Sequence, residues 1–190
     1  MIVENSTSIL KAMAVILRSA LLSALMIATP ILGKAEDSAH NHAVSSKLVQ
    51  IVRQNTAQFI DVNNLKGTGY QPLFGCVSGP DHGAMGIHYV NLGLVGDGLL
   101  DERTPEALIY EPVGNARRLV GVEYIVDAAT WLAAHDNTPP QLEGQDFQFV
   151  DAPNRFGIPS GFFELHVWAW RDNPNGAYVD WNNNVSCEGQ

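Results

Sequence analysis

The chain has 190 residues, with 20 Asp and Glu against 11 Lys and Arg and a formal net charge of −9. That length suits one ordinary domain able to bury its own core. So acidic a balance, with no basic stripe, argues against binding a nucleic-acid backbone and favours neutral, cationic or metallic partners.

Lys11 and Arg18 lie at or before an apolar run, Ala20–Leu32, and small residues Gly33 and Ala35 follow. This order of positive, apolar and small residues predicts a secretory signal peptide over 1–35. Met13 offers an alternative start. The run is short for a bilayer span and holds Arg18 and Pro30, so no stable membrane span is expected after cleavage. Loss of Lys11, Arg18 and Lys34 against Glu4 alone takes the charge from −9 to −11. A polar lead-in, 36–43, carries His40 and His42, and a single globular domain over 44–190 follows. A His-x-His tract can hold a transition metal, but a solvated lead-in is the simpler reading.

Val44 to Ile60 has helical period: Val44, Leu48, Ile51, Val52 and Phe59 share one face. Asn63, Asn64, Gly67 and Gly69 stop it. Tyr70 to Gly83 reads as loop, with Asp81 and His82 on the surface. Met85–Asn91 is the first strand, broken by Gly93, Gly96 and Gly98. Thr104-Pro105-Glu106 has the form of a helix start, a capping hydroxyl and then proline. Ala107–Glu111 and Arg118–Val126 form a hairpin around Gly114-Asn115, with a loop longer than the tightest kind. Asp127 caps a short helix, Ala128 to His135. Leu142–Val150 reads as an edge strand and Asp151–Gly161 as a long loop. Phe162–Arg171 is the strongest strand. Asn173-Pro174-Asn175-Gly176 is a turn, from which Ala177–Trp181 is expected to return antiparallel.

Three of these strands carry an ionisable group at their centre: His88, Glu123 and His166. Side chains alternate between the two faces of a strand, so such a group points into water or into something that needs it. Two imidazoles and one carboxylate form the ligand set of a facial metal site for iron, zinc, manganese or copper. The same set without metal would be a buried acid/base pair. Gly86 and Gly121 each stand two residues before one of the three, leaving room for a ligand or a bulky ring. Glu123 would share its face with Leu119, Gly121 and Ile125. Tyr89, Tyr110, Glu164 and Trp168 are candidates for the surrounding pocket. The opposing reading places His88 and His166 in ordinary core hydrogen bonds, and a polar group on the wet face of a sheet is unremarkable. The aromatic set Trp168, Trp170, Tyr178 and Trp181 reads as core in preference to a sugar platform.

Cys76 and Cys187 are the two cysteines. In an exported chain they predict one disulfide. A phosphate-binding glycine loop, a Gly-x-Ser-x-Gly elbow and a Cys-x-x-Cys pair are all missing from the sequence, which argues against nucleotide, hydrolase-elbow and thioredoxin-type chemistry.

Gly75-Cys76-Val77, Gly83-Ala-Met-Gly-Ile-His-Tyr-Val-Asn91, Tyr110-Glu-Pro112, Leu119-Val-Gly-Val-Glu-Tyr124, Leu165-His-Val-Trp-Ala-Trp170, Asn173-Pro-Asn-Gly176 and the Trp181-Asn182 to Cys187 segment resemble a family of exported bacterial proteins of unknown function. The resemblance spans about residues 50–187. It implies a periplasmic or secreted bacterial setting and no particular activity. Family members read Trp-Asn-Pro where this chain has Trp181-Asn182-Asn183, a change that softens a turn and touches none of the candidate ligands.

The fold expected is α+β, an N-terminal helix packed on a mostly antiparallel curved sheet or small open barrel. The function expected is a small-molecule or divalent-metal site on adjacent strands. A non-catalytic binding module without metal is the alternative.

Overall fold

The computed structural model describes residues 46–79 and 81–188. The expected signal peptide, the lead-in with His40 and His42, and Val44 lie outside the described residues.

Helix α1 (Lys47–Thr56) begins where Ser46 caps it, its hydroxyl accepting from the Val49 amide. Two 3-10 turns, Ala57–Ile60 and Val62–Leu65, continue the chain. Short strands β1 (Gln71–Pro72) and β2 (Val77–Gly79) come next, where a loop was expected. Then follow β3 (Gly83–Val90), a one-turn helix α2 (Leu92–Val95), β4 (Ala107–Val113), β5 (Ala116–Asp127) and α3 (Ala128–Ala134). The minor hairpin β6 (Gln141–Leu142) and β7 (Gln145–Asp146) precedes edge strand β8 (Gln148–Val150), and β9 (Phe162–Val167) ends the series.

The main sheet runs β1-β3-β4-β5-β9-β8, with β2 also on β3, and it does not close into a barrel. Among the described residues every strand pairing is antiparallel. The fold is therefore mixed helix and antiparallel sheet. One sheet face carries Tyr89, Leu108, Tyr110, Val122, Tyr124, Leu165 and Val167, which pack in one apolar cluster with Leu48, Val49 and Val52 of α1. The other face carries two smaller clusters, Ala84, Ile109, Val120 and Trp168 with Val185, and Val90, Ala107 and Ile125 with Phe162.

Several elements differ from the sequence reading. The β4–β5 loop is two residues, Gly114-Asn115, with Val113 opposite Ala116, so it is of the tightest kind. A bulge places Gly121 opposite Ile109 but Leu119 opposite Tyr110. The extra residue reverses the alternation, so Leu119 joins the α1 face and not the face of Glu123. Thr104–Glu106 forms no helix. Its shape is held by long-range contacts, the Tyr70 hydroxyl donating to the Pro105 carbonyl at 2.5 Å and the Ile125 amide to Glu106 Oε2 at 3.0 Å. Conversely, α2 forms among the glycines because the Asn91 side chain accepts from the amides of Gly93 and Leu94. β9 stops at Val167: the Ala169 amide closes back on the Val167 carbonyl, and the Trp168 amide donates to Ala177. Ala177–Trp181 accordingly makes no strand. The turn before it does form, with Gly176 N donating to Asn173 O at 3.0 Å.

Cys76 and Cys187 are bonded. The C-terminal segment they anchor crosses the second sheet face, with a bridge between Ala84 and Asn182 and with Val185 buried. Among the described residues no helix is long and apolar enough to cross a membrane.

Candidate metal centre

Register decides which side chains meet. Val90 stands opposite Ala107, Ala107 opposite Glu123, and Glu123 opposite His166. His88 lies one step along β3, opposite Ile109. All share the second sheet face. His88 and Glu123 are separated by β4, but the β4 residue paired with Glu123 is only alanine, so the two side chains reach each other over it. His88 Nε2 stands 3.3 Å from Glu123 Oε2. The two imidazole rings are 5.9 Å apart, edge to face. One ligating atom from each of His88, Glu123 and His166 lies within 4.8 Å of the others. The three side chains, at most 1% exposed, converge inside the protein.

The two glycines make this packing possible in different ways. A Cβ on Gly121 would lie 2.8 Å from the Val167 carbonyl and 3.2 Å from the Trp168 ring. The space is thus filled by a bulky ring, and Trp168 stacks at 6.2 Å from His166. Gly86 has φ +96°, and a Cβ there would meet the Tyr110 carbonyl at 2.8 Å. It lets β3 approach the β4 backbone closely just before His88.

Polar atoms in a protein interior are nearly always hydrogen-bonded, since an unpaired one costs about 1–3 kcal/mol. Among the described residues, the buried side-chain nitrogens and oxygens without a well-aligned hydrogen bond all belong to this trio: Nδ1 and Nε2 of His88, Oε2 of Glu123, and Nδ1 and Nε2 of His166. His88 Nε2 and Glu123 Oε2 are close, yet not aligned for a hydrogen bond. Their 3.3 Å separation instead suits two ligands of one ion. Donors each about 2.0–2.1 Å from a tetrahedral ion stand about 3.4 Å apart. The trio can therefore hold a metal ion.

Burial lowers the His88 pKa well below the usual histidine range, helped by His166 and the Arg155 charge and opposed by the Gly86 carbonyl. Its ring is neutral, as a ligand must be. Burial raises the Glu123 pKa well above the usual carboxylate range. Glu164 adds to this and Arg155 opposes it.

Two residues missed in the sequence complete the surroundings. Arg155, from the loop before β9, sets Nη2 3.1 Å from Glu123 Oε1 and 3.0 Å from Glu164 Oε2. Asp180, from the C-terminal segment, sets Oδ1 3.5 Å from His166 Nδ1. Its carboxyl is held below the usual range, first by His166, against its partial burial. A second group of ligating atoms, from Glu164, His166 and Asp180, also lies within 4.8 Å of one another. Arg155 had one signal, being the lone cation in a loop otherwise apolar or polar-neutral after Asp151. Asp180 had none.

Of the expected pocket residues, Glu164 and Trp168 are at the site. Tyr89 and Tyr110 are not. They sit at the opposite parity, meet edge to face at 4.9 Å and lie in the α1 core, where the Tyr110 hydroxyl donates to the Phe59 carbonyl at 2.7 Å. Trp168 is buried, and Trp170 and Tyr178 pack against the main core, as a core role requires. Trp181 instead lines an open groove and lies against Gly79. Asp81 and His82 are exposed.

Compared with protein-family models, with curated proteins and with solved structures, the chain matches none.

Proposed function

We propose that this chain is an exported bacterial protein that binds one divalent metal ion between His88, Glu123 and His166. The observation that carries the reading is the trio's set of buried polar atoms that lack well-aligned hydrogen bonds, grouped at ligand spacing. Two imidazoles and one carboxyl group suit iron, zinc, manganese or copper and leave positions open for water or a small molecule. When bound, such an ion polarises an adjacent oxygen or acidifies a water. The chain's own residues orient and enclose. Trp168 packs on His166 and fixes its ring, while Arg155 holds Glu123 through the oxygen that does not face His88. The leader-like N-terminus, the family resemblance and the disulfide support an oxidising, extracytoplasmic setting.

The metal-free alternative, a binding module with an internal polar network, draws on Arg155, which already gives Glu123 a counter-charge. Elemental analysis of purified protein separates the two. About one ion per chain, lost in a His88→Ala/His166→Ala variant, is expected for the metal reading. Protein without stoichiometric metal, unchanged on incubation with zinc, iron, manganese or copper salts, overturns it.

A further inference from the structure

The trio is closed off from solvent, so an ion needs a way in. One shallow groove of about 410 Å³ approaches it, lined by His82, Gln148, Asn175, Tyr178, Asp180 and Trp181. Asp180 alone belongs both to that groove and to a group of metal-ligating atoms. Its side chain is 23% exposed, whereas those of its two companions, Glu164 and His166, are enclosed. Asp180 is aimed: Gln148 Nε2 donates to Oδ2 at 3.2 Å, and Oδ1 faces His166 Nδ1 at 3.5 Å. That nitrogen is buried, and its contact with Asp180 is too long for a well-aligned hydrogen bond. The outer group is thus more than a cluster of acids. It contains a buried imidazole whose Nδ1, without a well-aligned hydrogen bond, points at the one ligand of the three that solvent reaches.

The two groups share His166. Their carboxylates are also joined, since one Arg155 nitrogen contacts both Glu123 and Glu164. Glu123 and Glu164 contact this single guanidinium, and Asp180 feels its charge from the groove side, so the acidic side chains around it outnumber the one cation.

We propose that Glu164, His166 and Asp180 form an outer loading site for a divalent cation, from which the ion passes to the enclosed His88–Glu123–His166 centre. The proposal rests on the metal reading of that inner trio. Asp180 takes the hydrated ion at the groove floor, where partial exposure lets waters leave one at a time. His166 belongs to both sites and hands the ion inward without releasing it to solvent. Asp180 is a transit ligand, so its loss changes the rate of filling and emptying and leaves the final occupancy alone.

Cobalt(II) is a suitable probe because its visible absorption reports coordination by nitrogen and oxygen ligands. The full disulfide-bonded chain, stripped of metal, is mixed with cobalt(II) in a stopped-flow instrument, and stoichiometry is measured by equilibrium dialysis. Asp180→Asn is expected to slow uptake about tenfold or more, as removal of a steering charge does. Release to a chelator should slow by a similar factor, with one ion per chain still bound. Gln148→Ala, which only unties Asp180, should slow uptake to a smaller degree, and it carries the test if Asp180→Asn does not fold. Glu123→Gln should lose the tight inner site and keep weak, fast binding at the outer one. Uptake at the wild-type rate by Asp180→Asn and Gln148→Ala overturns the loading site alone. Loss of the bound ion in Asp180→Asn also overturns it, by making Asp180 a resident ligand. Wild-type protein that binds no cobalt(II) overturns the inner reading and this proposal together.

Discussion

A single nitrogen of Arg155 touches Glu123: Nη2 stands 3.1 Å from Oε1, and the same atom is 3.0 Å from Glu164 Oε2. A residue from an irregular loop thus places one positive charge between two carboxyl groups buried in the sheet. The guanidinium also lies over the Phe156 ring, 4.9 Å from its centre, so the loop carries its own support for the contact. Removing one partner of a fully buried ion pair costs about 3–5 kcal/mol. Arg155 is 29% exposed, so a smaller loss of about 1–3 kcal/mol is expected for Arg155→Gln. Urea denaturation in the presence of a chelator checks this. Saturating zinc should restore part of the loss, because the ion supplies the missing positive charge; equal stability of variant and wild type would show the contact to be idle.

Glu106 predicts a pH dependence away from the candidate metal centre. Burial lifts its pKa from the ordinary 4.5 to about 8, against hydrogen bonds from the backbone and with help from Asp97 and Asp101. The Tyr70 and Tyr124 hydroxyls, which donate to the Pro105 and Glu102 carbonyls, lie within range of its charge and are held protonated first by burial. The folded state binds the Glu106 proton more tightly than the unfolded state. Its contribution is full below about pH 4.5 and is lost as pH rises through about 8. Glu106→Gln keeps an acceptor for the Ile125 amide and removes the proton. At pH 8 the variant should be more stable than wild type by at least about 1 kcal/mol, with the gap shrinking toward pH 5. Thermal melts across that range decide it, and parallel curves would refute the assignment.

Tyr110→Phe tests the division of the sheet into two faces. The substitution strands the Phe59 carbonyl in the α1 core and should cost about 1–2 kcal/mol. Metal content should stay unchanged. A variant that loses metal without losing stability would put Tyr110 back at the site.

Gly121→Ala tests the packing behind the centre. Its Cβ would press on the Val167 carbonyl at 2.8 Å, which cannot swing aside as a side chain can, and on the Trp168 ring. A loss of about 1–3 kcal/mol is expected, with a shifted tryptophan fluorescence maximum. Trp168 supports His166, so metal occupancy should fall too. Wild-type fluorescence and occupancy would contradict this.

The disulfide closes a loop with a sequence separation of 111. On the chain-entropy view, that closure stabilises the fold by about 4–5 kcal/mol as an upper figure. A Cys76→Ser/Cys187→Ser variant should unfold at much lower urea. The C-terminal segment carries Asp180 and buries Val185, so its proteolysis should quicken first. Protection equal to that of the bonded protein would show that the segment is held by its other contacts alone.

Much of the fold was legible in the residues. Apolar runs between turn residues located β3, β4, β5 and β9, because strands buried on both faces are apolar nearly throughout, and Asp127 caps its helix by a local hydrogen bond. Misreadings came where distant groups took over. Thr104–Glu106 is shaped by Tyr70 and Ile125, and a single bulge at Val120 moved Leu119 to the other face. The same parity argument that drew His88, Glu123 and His166 together should have sent Tyr89 away from them, since adjacent residues on a strand point apart.

The sequence by itself determined that ionisable groups stand at the centre of three apolar strands, and that two cysteines were available to tie the chain. Only the tertiary structure decided that β5 lies between β4 and β9, so that Glu123 faces His166 directly and reaches His88 across an alanine. It alone brought Arg155 and Asp180 to the same place, from a loop and a C-terminal segment without any periodic signal. The physical reason is range. Periodicity and caps arise from neighbours a few residues apart, whereas a ligand set depends on register and strand order, which are settled by the burial of the whole sheet.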